Sequence, residues 1–167
     1  MSIPQIEPLT QNADAEPQLR DLFSFSAGNR AFAIFEEEVE GTAESKRPAR
    51  LPNSPAAILG VVCVRGRMLT TLDPAALVGV ETNWPNELPL VIALRGDEQL
   101  ALAADSLRET ITIASTDIEP FNAEQTDRPH STILGIARYG GEELTILNPN
   151  GLFSAAFQRT ERRRRRF

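Results

Sequence analysis

One arrangement restricts this chain more than any other feature: a short apolar run, a glycine turn and a second short run recur along its length. Leu22, Phe23 and Phe25 lead through Gly28-Asn29 to residues 31–35. Residues 58–64 lead through Arg65-Gly66-Arg67 to 68–72, and 88–94 through Gly96-Asp97 to 99–104. Residues 133–139 lead through Gly140-Gly141 to 143–147. Runs of five to seven residues are too short for globular helices. Those rich in valine, isoleucine and leucine and bounded by glycine read as paired strands. Glycine at each bend supplies the positive φ that tight hairpin turns require.

The segments between the hairpins fit the same reading. Pro52-Asn53-Ser54-Pro55 breaks any helix and launches the strand that follows. Asp73-Pro74 predicts a short helical turn, with the aspartate as N-cap and the proline at the first helical position. Residues 36–50 are polar and predict irregular chain, residues 81–87 a loop, residues 108–113 a fourth strand and residues 120–131 a polar loop. Residues 151–157 predict a final short helix. Many short strands with almost no helix of globular length predict an all-β, closed or nearly closed architecture. Its two hairpin-rich halves are expected to meet near residues 81–87. A length of 167 residues allows one ordinary domain or two very small ones.

The ends differ from the body. Residues 1–20, with Pro4, Pro8 and Pro17 and no sustained period, predict a flexible leader, so the fold is expected to begin near Asp21. Residues 158–167 hold six arginines and one glutamate, a net of +5, which leaves −11 on residues 1–157 out of a total of −6. Like charges in such a run repel one another, and a disordered basic tail is expected. Arg162, Arg163, Arg164, Arg165 and Arg166 could hold an anionic partner by counterion release, whether nucleic acid or a lipid surface. They could equally form a solvated extension.

Several function classes find no support. The longest apolar run, residues 56–64, falls well short of the roughly 20 residues that span a bilayer. The N-terminal residues lack the basic and apolar regions of a secretory signal, so a cytoplasmic location is expected. With one cysteine, Cys63, and one histidine, His130, no internal disulfide can form and a metal site would need mostly carboxylates. His130 beside Ser131, with Asp127 near, has no nucleophile elbow around the serine and reads as a loop histidine. Asp73 and Asp105 each follow an apolar strand and read as turn caps rather than an acid/base pair. Cys63, inside an apolar strand, reads as a small buried hydrophobe. The glycines match neither the P-loop nor the dinucleotide spacing. No cofactor, metal or small-molecule substrate is expected.

A longer pattern gives these pieces a common frame. Pro55-Ala56-Ala57-Ile58-Leu59-Gly60-Val61-Val62-Cys63-Val64-Arg65-Gly66-Arg67-Met68-Leu69-Thr70-Thr71-Leu72-Asp73 resembles the central signature of the CheW-like domain family of bacterial chemotaxis. Further landmarks follow in order: Gly28 to Ile34, Ala103-Ala104-Asp105, Ile118-Glu119-Pro120, Ile133-Leu134-Gly135-Ile136-Ala137 and residues 144–147. Cys63 stands where the family usually has asparagine, Thr70 where it usually has proline, and Glu36-Glu37-Glu38 where it is usually more apolar.

The resemblance implies a domain over residues 21–157 made of two small SH3-like β-barrels packed together, with a short C-terminal helix. It implies a non-enzymatic adaptor that couples chemoreceptors to a CheA-type histidine kinase. The partners would be the kinase's regulatory domain and the receptor's cytoplasmic tip. The receptor tip would lie in a groove between the barrels at Val39, Val62, Arg65, Gly66 and Arg67. The physical case for Arg65 is that a turn arginine after a buried strand is projected outward, where it can meet a carboxylate or amide of a partner, the alternative being a salt bridge to the acidic body. The departures near Cys63 and Glu36 leave open an adaptor for a chemosensory-like pathway with another output, such as surface motility. A binder of nucleic acid or an anionic surface, working through the arginine tail, is the reading from a different class.

Overall fold

A computed structural model describes residues 17–121 and 132–156. The first hairpin is β1 (Leu19–Ala27) and β2 (Arg30–Phe35), and the chain continues through a 3-10 turn at Glu36–Glu38 into β3 (Val39–Lys46). A second hairpin, β4 (Ile58–Val64) and β5 (Arg67–Leu72), is followed by the helical turn α1 (Pro74–Leu77). Then come β6 (Leu88–Leu94), β7 (Leu100–Ala104), β8 (Ser106–Ala114) and the short β9 (Glu119–Pro120). The last hairpin is β10 (Ile133–Tyr139) and β11 (Glu142–Leu147). A 3-10 turn at Pro149–Gly151 leads into helical residues 152–156. Three hairpins turn on two residues that both have positive φ, Gly28-Asn29, Arg65-Gly66 and Gly140-Gly141. Such turns match the twist of the strands they join.

The strands form two sheets, ordered β8-β1-β2-β11-β10-β9 and β3-β6-β7-β5-β4. Neighbours run antiparallel except β2 with β11 and β5 with β7, which are parallel. The first sheet therefore draws on both ends of the chain, while the second is the continuous stretch from β3 to β7. This corrects the expected division near 81–87: that loop lies within the second sheet's span, between α1 and β6. The sheets exchange chain between Phe35 and Val39 and between Ala104 and Ser106. The loop does meet the first sheet in space, because a Cβ on Gly28 would lie 2.7 Å from the Thr82 methyl.

Two strict alternations build the core. In β7, Leu100, Leu102 and Ala104 face the seam between the sheets, and Ala101 and Ala103 face the interior of the second barrel. In β2, Phe32 and Ile34 face the seam, and Ala31, Ala33 and Phe35 face the interior of the first. Both faces of these strands are thereby buried, one in the seam and the other in a barrel interior. Leu152, Ala155 and Ala156 of the final helical residues close one end of the same seam. The all-β class, with two small SH3-like subdomains and a short C-terminal helix, is the architecture found.

Two boundaries differ from expectation. Strand β1 starts at Leu19, inside the segment read as leader, because residues 19–23 pair in register with β8 as far as Leu19 opposite Ala114. Residues 39–46, read as irregular, form β3, whose polar residues pair with the apolar β6. Pairing with a buried neighbour overrides the weak intrinsic preference of an edge segment. Residues 1–16, the greater part of the leader, lie outside the described residues, as do Phe157 and the basic tail.

Asp73 behaves as expected. Its buried carboxylate accepts hydrogen bonds from the Ala75 and Ala76 amides at 3.0 and 3.2 Å and from the Thr82 hydroxyl. It thus ties α1 and the 81–87 loop to the end of β5. Asp73→Ala should lower unfolding free energy in urea by about 2–3 kcal/mol, because a cap is lost and buried donors are orphaned. A loss under half a kilocalorie would contradict this role.

Candidate partner-binding groove

The phase of β4 decides which residues of the signature segment reach the surface. Ile58, Gly60, Val62 and Val64 turn inward, while Leu59, Val61 and Cys63 turn outward. Val62 is 2% exposed inside the second barrel, so it supports the strand from behind and presents no surface. That corrects its assignment as a contact residue. Cys63 is likewise corrected: it is exposed, opposite Met68, which is 57% exposed on β5. An apolar run says that a strand is buried on one face, but only register says which residues take that face.

The hairpin tip carries Arg65 and Gly66, both exposed, and β5 begins at Arg67. Strands β3 and β4 are the two edges of the second sheet. At this end side chains bridge from β3 to the β4–β5 hairpin, where Arg67 of β5 forms an ion pair with Glu40 of β3. Glu40 sits where the β3–β6 register shifts, between Val39 opposite Leu94 and Gly41 opposite Ala93. Such a bulge re-aims a side chain. The Arg65 guanidinium lies against Gly41: a Cβ there would be 3.3 Å from Nη1 and 3.4 Å from Cζ and Nη2. Arg65 makes no hydrogen bond or ion pair among the described residues.

Together these residues line a shallow surface depression, with Glu40, Gly41, Arg65 and Arg67 around it and the buried Val64, Leu69 and Ala93 beneath. Val39, the residue before Glu40, is partly buried against the seam between the sheets. Of the five contact residues read from the sequence, Arg65 and Arg67 line the depression, with Gly66 between them at the hairpin tip; all of its lining belongs to the second sheet, so it is not the expected groove between the barrels. Glu40 and Gly41 were missed because 27 positions separate Glu40 from Arg67 and nothing in the sequence specifies that pairing.

The residues weighed for chemistry fall as follows. Asp105 accepts a hydrogen bond from the Gly28 amide at 2.9 Å, capping a turn 77 positions away rather than its own. Asp127, His130 and Ser131 lie outside the described residues, as do Arg162, Arg163, Arg164, Arg165 and Arg166. Among the described residues, no group of three histidine, cysteine or carboxylate side chains is arranged to hold a metal ion. No helix among them is long and apolar enough to cross a membrane.

Comparison with known proteins places this geometry. The family model for the CheW-like domain matches residues 21–157. The chain is 23% identical to the chemotaxis protein CheW of Rhizobium meliloti (strain 1021), over 80% of this chain and 87% of that one. It is 27% identical to the chemotaxis protein CheW of Helicobacter pylori, over 84% of this chain and 98% of that one. The fold is similar to the crystal structure of the scaffolding protein TtCheW from Thermoanaerobacter tengcongensis. The TM-score is 0.71 at 20% identity, covering 84% of this chain and 91% of that one. With a match that spans both sheets and the groove between the edges of the second, the chain belongs to the CheW-like domain family.

Proposed function

We propose that this protein is a non-enzymatic cytoplasmic adaptor that couples chemoreceptors to a CheA-type histidine kinase in chemotaxis. The observation that carries this reading is the family match over residues 21–157, joined to a surface suited to holding other proteins. One element of that surface is the shallow depression at Arg65, which presents a cation that has no ion-pair partner among the described residues. The other is the outer face of β4 and β5, where Met68 and Cys63 are exposed beside the partly exposed Leu59 and Val61. The first suits the receptor's cytoplasmic tip and the second the regulatory domain of the kinase. Interfaces of this kind draw their energy from a few anchors, arginine prominent among them.

The two surfaces can be separated. Arg65→Glu should weaken receptor-tip binding about tenfold or more and leave kinase binding within about twofold. Met68→Glu should do the reverse, because it places a charge at the centre of an apolar contact. Titration calorimetry against each purified partner reads both effects. Loss of both partners by either variant would mean that one surface serves both.

A second reading has one observation in its favour, the net +5 of residues 158–167. In it Arg162, Arg163, Arg164, Arg165 and Arg166 hold nucleic acid or an anionic lipid surface. Binding of the intact chain to either should then fall steeply with salt and vanish when residues 162–167 are removed. Salt-independent binding, or none, sets this reading aside.

A further inference from the structure

Gly41 is an interior strand residue whose backbone does not require glycine: its φ is not in the left-handed region, and it pairs in register with Ala93. Glycine weakens a strand interior, and it marks a bulge, as at the register shift beside Gly41, or the close approach of another group. Here that group is Arg65, whose guanidinium lies over the bare backbone with three of its atoms at nearly equal distance from where a side chain would start. The neighbouring cation is arranged differently, because Arg67 is neutralised by Glu40. Of the two arginines that flank Gly66, one is committed within the chain and the other is uncompensated among the described residues.

We propose that Gly41 sets the selectivity of the groove by seating Arg65 without a counter-charge, so that the groove takes a partner segment that presents a carboxylate to Arg65. The carboxylate meets the Arg65 guanidinium over the bare Gly41 backbone. A glutamate at position 41 would place its own carboxylate on Arg65 and cancel that preference, whereas a serine would crowd the guanidinium and leave its charge in place. This rests on the groove being the surface that receives the receptor tip, and the test keeps the two claims apart.

The first measurement needs no partner. The native chain, Gly41→Glu and Gly41→Ser, each checked for an intact thermal transition, are treated with the arginine reagent phenylglyoxal, and Arg65 labelling is followed by peptide mass spectrometry. Arg65 should label several-fold more slowly in Gly41→Glu than in the native chain or in Gly41→Ser. Equal rates in all three would overturn the proposal. The second measurement is affinity for the receptor's cytoplasmic tip, expected to fall about tenfold in Gly41→Glu and much less in Gly41→Ser. Equal losses in both would make the effect one of bulk and overturn the selectivity claim, as would undiminished binding by Gly41→Glu. If the native chain bound no receptor tip, the receptor half of the adaptor reading would fall. The labelling result would still decide whether Gly41 keeps Arg65 uncompensated.

Discussion

Replacing Phe32 with alanine should lower the unfolding free energy by about 3–5 kcal/mol, among the largest losses any single substitution in this chain can produce. Phe32 is fully buried and stacks on Phe25, with ring centroids 5.9 Å apart and planes 22° from parallel. It sits in the seam with Ile58, Leu72, Leu90, Ile92 and Leu102 of the second sheet, although β2 itself belongs to the first. A cavity there removes contacts from both subdomains at once. Urea unfolding should therefore shift by the same amount whether read by circular dichroism or by the fluorescence of Trp84. That side chain packs against the seam and the second barrel's interior. Two separated transitions, with the Trp84 signal unmoved, would show that the subdomains unfold independently and that the seam is not a common core.

Gly60→Ala should be the most damaging of the glycine substitutions that add only a methyl group, at about 2–4 kcal/mol. Gly60 has φ of 141°, and a Cβ there would fall 2.5 Å from the carbonyl oxygen of Ala49 and 3.0 Å from the Pro48 side chain. The segment above it cannot easily withdraw, because Ala49 and Val61 exchange both backbone hydrogen bonds, at 2.8 and 2.9 Å. That bridge covers the edge of β4 just before the strand runs out to Arg65. The substitution should therefore loosen the hairpin that carries the groove as well as destabilise the chain. Gly66→Ala is the control: φ there is 81°, but nothing lies within 4 Å. Its cost should stay near 1 kcal/mol, a left-handed alanine without a clash. If the two losses were equal, conformational strain alone would explain Gly60 and the close approach of Ala49 would play no part.

What could be read from the sequence was local. Glycine turns between β-branched runs gave the hairpins, since Gly28-Asn29 and Gly140-Gly141 encode their backbone angles directly. Asp73-Pro74 gave the helical turn for the same reason. What could not be read depended on partners distant in sequence. Strand β3 is polar and becomes a strand only because β6 pairs with it. The parallel pairing of β2 with β11 joins chain segments more than a hundred positions apart, and no local signal marks it. Arg65 and Arg67 were legible as exposed turn cations, but their unequal situations were not. Glu40 neutralises one and Gly41 seats the other, and both come from across the gap between the sheet's two edges. Val62 and Cys63 exchanged places for a simpler reason: an apolar run lacks the polar alternation that would reveal its inward phase.

The most direct test of the adaptor reading is whether one molecule of this chain can hold both partners at once. Purified protein, the regulatory domain of the CheA-type kinase and the receptor's cytoplasmic tip would be mixed and followed by analytical ultracentrifugation, with the Arg65→Glu and Met68→Glu variants alongside. A three-component complex is expected with the native chain, a chain–kinase pair alone with Arg65→Glu, and a chain–receptor pair alone with Met68→Glu. No association with either partner at high micromolar concentration would contradict the adaptor account.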